Sequence, residues 1–322
     1  MSANVIAIVG ASSQIAKDLI RSFTSAGRKN LLLYVRHLDT TQAWVAQQGL
    51  EASCSVHGYE AYGEMPHDVV INFVGVGDPR RAAEIGSTIF EITTRFDDMV
   101  LAELIRHPSR RYLFLSSGAA YGNAFAEPVT AATQALIAIN SIQPQDYYAA
   151  AKLHAEVRHR ARPDLAIIDL RVFNMFSCTQ DIEARFFITD IVRAIRDKRT
   201  LQTTADYMVR DFMHPDDFHR LVECLMVAPP ANCAVDCYSR EPIDKPSLLQ
   251  AMTERFGLRY EVAGGSTVAV NATGAKPHYY SLNRKAAGFG YQPVWSSLEG
   301  IVAETSAILK GSSALHSIGA TR

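Results

Sequence analysis

Short apolar runs alternate with amphipathic stretches through the first half of the chain. Runs rich in apolar and β-branched residues predict five strands, at 5–9, 30–35, 68–74, 112–115 and 165–170. Apolar positions at helical spacing predict helices at 14–26, 40–48, 87–107, 147–162, 185–197 and 215–227. Strands that are apolar throughout, alternating with helices, are typical of a parallel sheet covered on both faces. The pattern therefore predicts a doubly wound α/β fold.

The alternation ends at about residue 172, and the remainder of the chain is richer in loops. We expect residues 1–172 to form the first domain, with residues 205–228 returning to it. Residues 173–322 then form a smaller α/β region. It should lie over the carboxyl ends of the strands, where sheets of this kind bind their ligands.

Composition narrows the class of protein. The 322 residues are 48% hydrophobic and 20% charged, and the formal net charge is -1. There is no basic field for a nucleic acid or a membrane surface, no apolar run of membrane-spanning length and no signal peptide. Five cysteines without framework spacing indicate reduced thiols and a cytoplasmic protein, and we expect no metal site.

The turn after the first predicted strand suits a pyrophosphate. Gly10 permits a tight turn, and Ser12 and Ser13 offer hydroxyl and backbone N–H groups where a helix begins, at Gln14 and Ile15. The spacing is G-x-x-S-x-x-A instead of three glycines, and the alternative is an ordinary capped helix. Its position in the first βα turn favours a dinucleotide, so residues 1–172 would be a Rossmann-like domain.

The end of the second predicted strand distinguishes NAD from NADP. A carboxylate there would bind the ribose 2′-hydroxyl of NAD, whereas an arginine would accommodate the 2′-phosphate of NADP. This strand ends at Val35 and is followed by Arg36, and the next carboxylate is Asp39. We therefore expect NADP, with NAD as the alternative. An ordinary solvated arginine is the other interpretation of Arg36.

A tyrosine, a lysine and a serine form the candidate catalytic group. Lys152 follows Tyr148 by four residues on one face of a predicted helix, and Ser117 follows the predicted strand at 112–115. The ordinary pKa of a phenol is about 10, so a neighbouring Lys152 should favour the phenolate. Tyr148 would transfer the proton and Ser117 would orient the substrate oxygen. Alone, the Tyr148–Lys152 spacing also fits two unrelated surface residues.

Four motifs in order resemble one family. They are Ser-x-x-x-Tyr-Gly at 117–122, Tyr-x-x-x-Lys at 148–152, Leu-Arg-x-Phe-Asn at 170–174 and Arg-Asp-Phe-x-His-x-x-Asp at 210–217. In these four motifs the chain resembles the extended short-chain dehydrogenases/reductases, in the branch that contains nucleotide-sugar epimerases, dehydratases and ketoreductases. The resemblance implies a nucleotide-diphosphate sugar as substrate. It also implies a homodimer built from the helices at 87–107 and 147–162.

The resemblance also assigns roles to residues. It places the cofactor against Phe73, Val74, Gly75, Ser116, Tyr148, Lys152, Val172 and Phe173. It places the substrate against Ser117, Asn174 and Arg210, with Arg210 on the diphosphate. Relatives carry a second phosphate-binding arginine near the C-terminus, whereas this chain has only Lys276 in that region. Lys276 would act there as a point charge and not as a bidentate fork.

Three reactions are compatible with such a site. A dehydratase of this family would carry an Asp-Glu pair directly after Ser117, where this chain has Gly118 and Ala119. A 4-epimerase usually retains NAD and the ribose-binding carboxylate. We therefore expect NADPH-dependent reduction of a nucleotide-linked 4-keto-6-deoxy sugar, with Tyr148 as proton donor. The alternatives are a 4-epimerase and a non-catalytic NADP-binding sensor.

Overall fold

The computed structural model describes residues 4–75, 84–263 and 276–319. The strands of this part are β1 (Ile6–Val9), β2 (Leu31–Val35), β3 (Cys54–Gly58), β4 (Val69–Asn72), β5 (Arg111–Ser117), β6 (Ala166–Val172), β7 (Asn174–Met175), β8 (Thr200–Thr203), β9 (Val209–Arg210), β10 (Phe212–Met213), β11 (Cys233–Asp236), β12 (Ile243–Asp244), β13 (Arg259–Val262) and β14 (His278–Tyr279). The α-helices are α1 (Gln14–Ser25), α2 (Leu38–Gln47), α3 (Thr88–Arg106), α4 (Tyr147–Arg160), α5 (Phe187–Arg196), α6 (Pro215–Val227), α7 (Lys245–Phe256) and α8 (Ser297–Gly319).

A seven-stranded sheet forms the centre of the molecule. Its order is β11-β6-β5-β4-β1-β2-β3, and every neighbouring pair is parallel. Ile6 of β1 pairs with Leu31 of β2 on one side and with Val69 of β4 on the other. Helices cover the sheet, and every residue of β1, β2 and β4 is buried. The predicted doubly wound α/β fold is confirmed.

The strand order places a ligand crevice. The chain moves from β1 to β2 and β3 on one side, and then crosses to β4, β5 and β6 on the other. The carboxyl ends of β1 and β4 therefore diverge at the switch point, where doubly wound sheets bind their ligands. The turn after β1 and the segment after β4 both lie at this point.

Two strands of the sheet were not predicted. The strand β3 carries few apolar side chains, and only its last residue is buried. The strand β11 is short and forms the edge of the sheet by pairing with β6. These two strands are the outermost of the sheet.

The second half of the chain builds a separate hydrophobic cluster. Phe176, Ile191, Phe212, Leu248 and Met252 belong to it, together with side chains of α8. The helix α6 packs against α1, as the predicted return of residues 205–228 would require, and β11 pairs with β6 in the main sheet. The division at residue 172 itself remains an interpretation.

One short pairing brings the C-terminal segment to the site. Strand β9 pairs with β12 and with β14, so Tyr279 lies beside Arg210. A further bridge joins Val129 to Ser281. Among the helices of the described residues, none has the length and apolar character needed to cross a bilayer.

Candidate active site

The turn between β1 and α1 requires glycine at position 10. Gly10 has φ +77°, and its N–H donates to the carbonyl of Tyr34 at 3.0 Å. A Cβ at Gly10 would lie 2.9 Å from the backbone nitrogen of Val74 and 3.0 Å from the carbonyl carbon of Phe73. The turn is therefore pressed against the end of β4. A side chain at position 10 would therefore push the turn, and the start of the helix that follows it, away from β4.

The side chains at the start of α1 and just before it have different surroundings. Ser13 caps the helix by accepting from Ala16 N–H at 3.3 Å, and Ser12 is exposed. Ile15 is half-buried against the main core. Gln14 hydrogen-bonds with Thr179, and so its side chain ties the turn to the segment after β7. Because the N–H of Ser13 also donates to the carbonyl of Gly10 at 3.0 Å, exposed Ser12 is the serine that the turn most directly offers to a cofactor.

A cavity of about 450 Å³ lies beside the end of β2. Its lining residues are Arg36, Tyr59, Thr88, Glu91, Ile92, Arg95 and Phe96. Arg36 is exposed at its edge, and Arg95 of α3 adds a second guanidinium. Burial raises the pKa of Tyr59, and the charge of Arg36 acts in the opposite direction. Two arginines and one glutamate thus line a cavity next to the expected adenosine position.

The helix α4 and the strand β5 bring the three predicted catalytic side chains together. Tyr148 lies close enough to Ser117, at the end of β5, for the serine hydroxyl to lower the pKa of its phenol. Lys152, one turn further along α4, is only 3% exposed. Its Nζ donates to the carbonyl of Leu115 at 2.6 Å and lies 4.4 Å from the ring centroid of Phe114. The same Nζ lies 6.0 Å from the ring centroid of Tyr148.

Burial dominates the electrostatics of this pair. Burial raises the pKa of Tyr148, and the neighbouring Ser117 hydroxyl acts in the opposite direction. Burial also lowers the pKa of Lys152 to about 8, against the charges of Glu156, Asp169 and Asp97. The expectation that Lys152 makes Tyr148 a phenolate is therefore not reproduced, because Nζ donates to Leu115 and desolvation outweighs the other influences. Tyr148 is held in its protonated form.

The expected nicotinamide side of the site is formed by glycine and phenylalanine. A Cβ at Gly75 would lie 3.2 Å from Nζ of Lys152, so the segment after β4 runs close to the catalytic lysine. A Cβ at Gly118 would lie 2.5 Å from Cδ1 of Phe173. Val172 is the last residue of β6 and Phe173 follows it, and both side chains are buried. The Phe173 ring thus covers the backbone where a dehydratase would carry its acid.

Two cations mark the expected diphosphate position. Nη1 of Arg210 donates to the carbonyls of Val209 at 2.8 Å and Lys276 at 2.7 Å. Burial lowers the pKa of Arg210 to about 10. Burial and the charge of Arg210 lower the pKa of Lys276 to about 8. An anion bound between them would relieve both effects. Asn174 lies near this group and donates to the carbonyl of Asp211 at 3.1 Å.

A second phenol that the sequence interpretation missed lies in the site. Oη of Tyr279 is 3.3 Å from Oγ of Ser117. Its ring centroid is 4.7 Å from that of Phe125 and 5.3 Å from that of Phe173. The guanidinium of Arg210 lies 5.9 Å and Nζ of Lys276 5.2 Å from the same centroid. Tyr279 therefore lies between the expected catalytic position and the expected diphosphate position, near residues of both.

A buried ionic network lies next to the site, and the sequence interpretation missed it as well. Ser116 donates to Glu156 at 2.5 Å, and Nε of Arg171 donates to both carboxylate oxygens of Glu156 at 3.0 Å. Nη1 of Arg171 lies 3.6 Å from Asp236 of β11. The network links α4 to three strands. The Ser116 side chain is thereby engaged, so its predicted contact with the cofactor would come from its backbone.

Comparison with known proteins identifies the family. The family model of the NAD dependent epimerase/dehydratase family matches residues 6–234. The chain belongs to this family. The resemblance to extended short-chain dehydrogenases/reductases is thereby confirmed, and the family is one of enzymes. A search of curated proteins finds no match.

Solved structures of this family share the fold over almost the whole chain. The UDP-glucose 4-epimerase of Thermotoga maritima is 15% identical, with a TM-score of 0.77 over 95% of this chain and 99% of its own. The UDP-glucose 4-epimerase of Bifidobacterium longum, in complex with NAD+ and UDP, is 15% identical, with a TM-score of 0.76 over 96% and 98%. The dTDP-glucose 4,6-dehydratase of Bacillus anthracis, in complex with NAD, is 14% identical, with a TM-score of 0.73 over 96% and 97%.

Proposed function

We propose that the protein is an NADPH-dependent reductase of a nucleotide-linked keto sugar, of the 4-keto-6-deoxy type. The observation that carries the choice of reductase and cofactor is Arg36, which stands at the end of β2 in place of the carboxylate that binds the ribose of NAD. Tyr148 is protonated in the free protein and can therefore donate a proton, which favours reduction of a keto sugar over the reverse oxidation.

The residues of the site divide the work of reduction. Bound NADPH would supply the hydride to the keto carbon. Ser117 donates to the keto oxygen and holds it beside Tyr148, which gives its proton to the oxygen as negative charge develops there. Lys152 keeps a positive charge near the resulting phenolate. Arg210 and Lys276 hold the diphosphate and so fix the sugar relative to Ser117.

Dehydration is disfavoured by the backbone at Gly118. The mechanism of the related dehydratases needs a carboxylic acid and a carboxylate directly after the serine. At Gly118 any side chain would meet the ring of Phe173, and Ala119 is buried. Neither position can present an acid or a base to the sugar.

A 4-epimerase is the second candidate, and the likeness to UDP-glucose 4-epimerases favours it. An epimerase would use the same Tyr148 in both directions and would keep its cofactor. A homodimer built on α3 and α4 and a cytoplasmic location remain predictions from the family resemblance. The packing of α3 against α4, with Phe90 and Tyr147 centroids 5.7 Å apart, is compatible with this dimer.

The test is oxidation of NADPH in the presence of nucleotide-linked keto sugars. Purified protein is mixed with NADPH or NADH and a panel of nucleotide 4-keto-6-deoxy sugars, and absorbance of the reduced cofactor is followed. A reductase consumes NADPH in preference to NADH. Cofactor that stays bound through purification, with sugar isomers interconverting and no net oxidation, identifies the epimerase instead.

The Arg36→Gln variant tests the cofactor assignment. Loss of a charged donor to the 2′-phosphate should raise the Kd for NADPH about tenfold to a hundredfold. The Kd for NADH should change less than about twofold, since NADH lacks this phosphate. Arg106→Gln, a 69% exposed arginine of α3, is the control and should change neither constant. An equal loss for both cofactors would contradict a role in binding the 2′-phosphate.

The Lys276→Gln variant tests the diphosphate position. We expect the Kd for UDP to rise about tenfold, because one charge-assisted hydrogen bond is lost. Binding needs the protonated amine, whose pKa is about 8, so the affinity of the parent protein for UDP should fall as the pH rises above that value. Lys285→Gln, at an exposed position, is the control. Unchanged UDP binding by calorimetry would place the diphosphate elsewhere.

A further inference from the structure

Three hydroxyl groups meet at Ser117. Oγ of Ser117 accepts from the N–H of Ala119 at 3.1 Å, which caps the short 3₁₀ turn at Gly118–Tyr121. It also lies near Tyr148, whose pKa it lowers, and 3.3 Å from Oη of Tyr279. The two phenols are close enough that ionisation of Tyr148 would raise the pKa of Tyr279. The serine therefore lies between two phenols.

The number of donors and acceptors restricts the direction of the Ser117 proton. A serine hydroxyl has one proton to donate and two lone pairs to accept with. The N–H of Ala119 uses one lone pair. The Tyr279 hydroxyl, 3.3 Å away, can donate to the second. With both lone pairs filled, the proton of Ser117 can only point to the third side, where Tyr148 and the keto oxygen lie.

We propose that Tyr279 is a positioning residue that donates to Ser117 and thereby directs the Ser117 proton toward the keto oxygen. The inference rests on the proposed reduction and deepens it. Tyr279 does not transfer a proton to the substrate. Its hydroxyl makes Ser117 a donor of fixed direction, which matters most when negative charge develops on the substrate oxygen.

The surroundings of Tyr279 hold its ring independently of its hydroxyl. The ring packs edge-on against Phe125 and Phe173, and β14 is fixed by its pairing with β9. The cations of Arg210 and Lys276 lie near the ring. A phenylalanine can therefore occupy the same position, so Tyr279→Phe removes the hydrogen bond and little else.

The test compares Tyr279→Phe in two backgrounds. In the otherwise unchanged protein, kcat for keto-sugar reduction should fall about threefold to tenfold, the effect of one neutral hydrogen bond. The KM for the nucleotide sugar should stay within about twofold, because the effect develops in the transition state. In a Ser117→Ala background the same substitution should cause no further loss, since the group it acts through is absent. Tyr280→Phe, at the next residue, is the control and should match the parent protein.

The outcomes separate this inference from the proposed function. Equal losses from Tyr279→Phe in both backgrounds, or a loss carried by KM alone, would overturn the positioning role while leaving the reduction intact. If Ser117→Ala has no measurable rate, the division between kcat and KM in Tyr279→Phe decides. Absence of NADPH oxidation by the parent protein would remove the proposed function, and this inference with it. Melting temperatures of the variants should agree with that of the parent.

Discussion

Tyr148→Phe should lower kcat for keto-sugar reduction by about 10²- to 10⁴-fold, the usual contribution of a positioned general acid. The substitution removes only the phenol hydroxyl near Ser117, and the ring can keep its place on α4. Affinity for NADPH and UDP should change less than about twofold, because neither is held by the phenol proton. Steady-state rates and calorimetric binding measure the two parts separately.

The adjacent tyrosine provides the control. Tyr147 lies on the same helical turn, and its ring lies 5.7 Å from that of Phe90 on α3. Tyr147→Phe removes the same atom at a position turned away from Ser117, and its kcat should equal that of the parent protein. A Tyr148→Phe variant that retained a third or more of the parent rate would show that another group supplies the proton.

Arg171→Met should lower the free energy of unfolding by about 3–5 kcal/mol, because it leaves buried carboxylates without their cation. Glu156 would lose a partner that meets both of its oxygens, and Asp236, 0% exposed, would lose the charge 3.6 Å away. The guanidinium also covers the ring of Tyr121 at 4.5 Å. Urea denaturation measures the change, provided that the slope of the transition is unchanged.

An exposed ion pair gives the matched comparison. Arg240 and Glu299 pair at 2.8 Å, with side chains 53% and 49% exposed. Arg240→Met should cost less than about 1 kcal/mol, because solvent screens such pairs. Equal losses for Arg171→Met and Arg240→Met would contradict the view that the buried network fixes α4 against β5, β6 and β11.

The sequence predicted the central strands because their apolar runs reflect burial on both faces. Strands β1, β2 and β4 are buried along their whole length, and this is what the pattern records. The strand β3 escaped prediction because few of its residues are apolar or buried, whereas the apolar run of β11 is only three residues long. The local sequence pattern therefore predicts the central strands of this sheet and misses its two outermost strands.

The candidate site could likewise be predicted only in part. Tyr148 and Lys152 are four residues apart on one helix, so their proximity could be predicted. Tyr279 reaches Ser117 across 162 residues through the pairing of β14 with β9, which no local pattern encodes. The pKa of Tyr148 was also out of reach, because the extent of burial at this position depends on the assembled site.

Transfer of deuterium from NADPH tests the central claim most directly. The protein is incubated with NADPH deuterated at the transferable position of nicotinamide C4 and with a nucleotide 4-keto-6-deoxy sugar. We predict one deuterium on the reduced carbon of the sugar for each NADP released, with the rate of transfer lowered about 10²- to 10⁴-fold in Tyr148→Phe. Interconversion of nucleotide-sugar isomers without release of oxidised cofactor, and without deuterium in the product, would contradict the reductase and identify an epimerase.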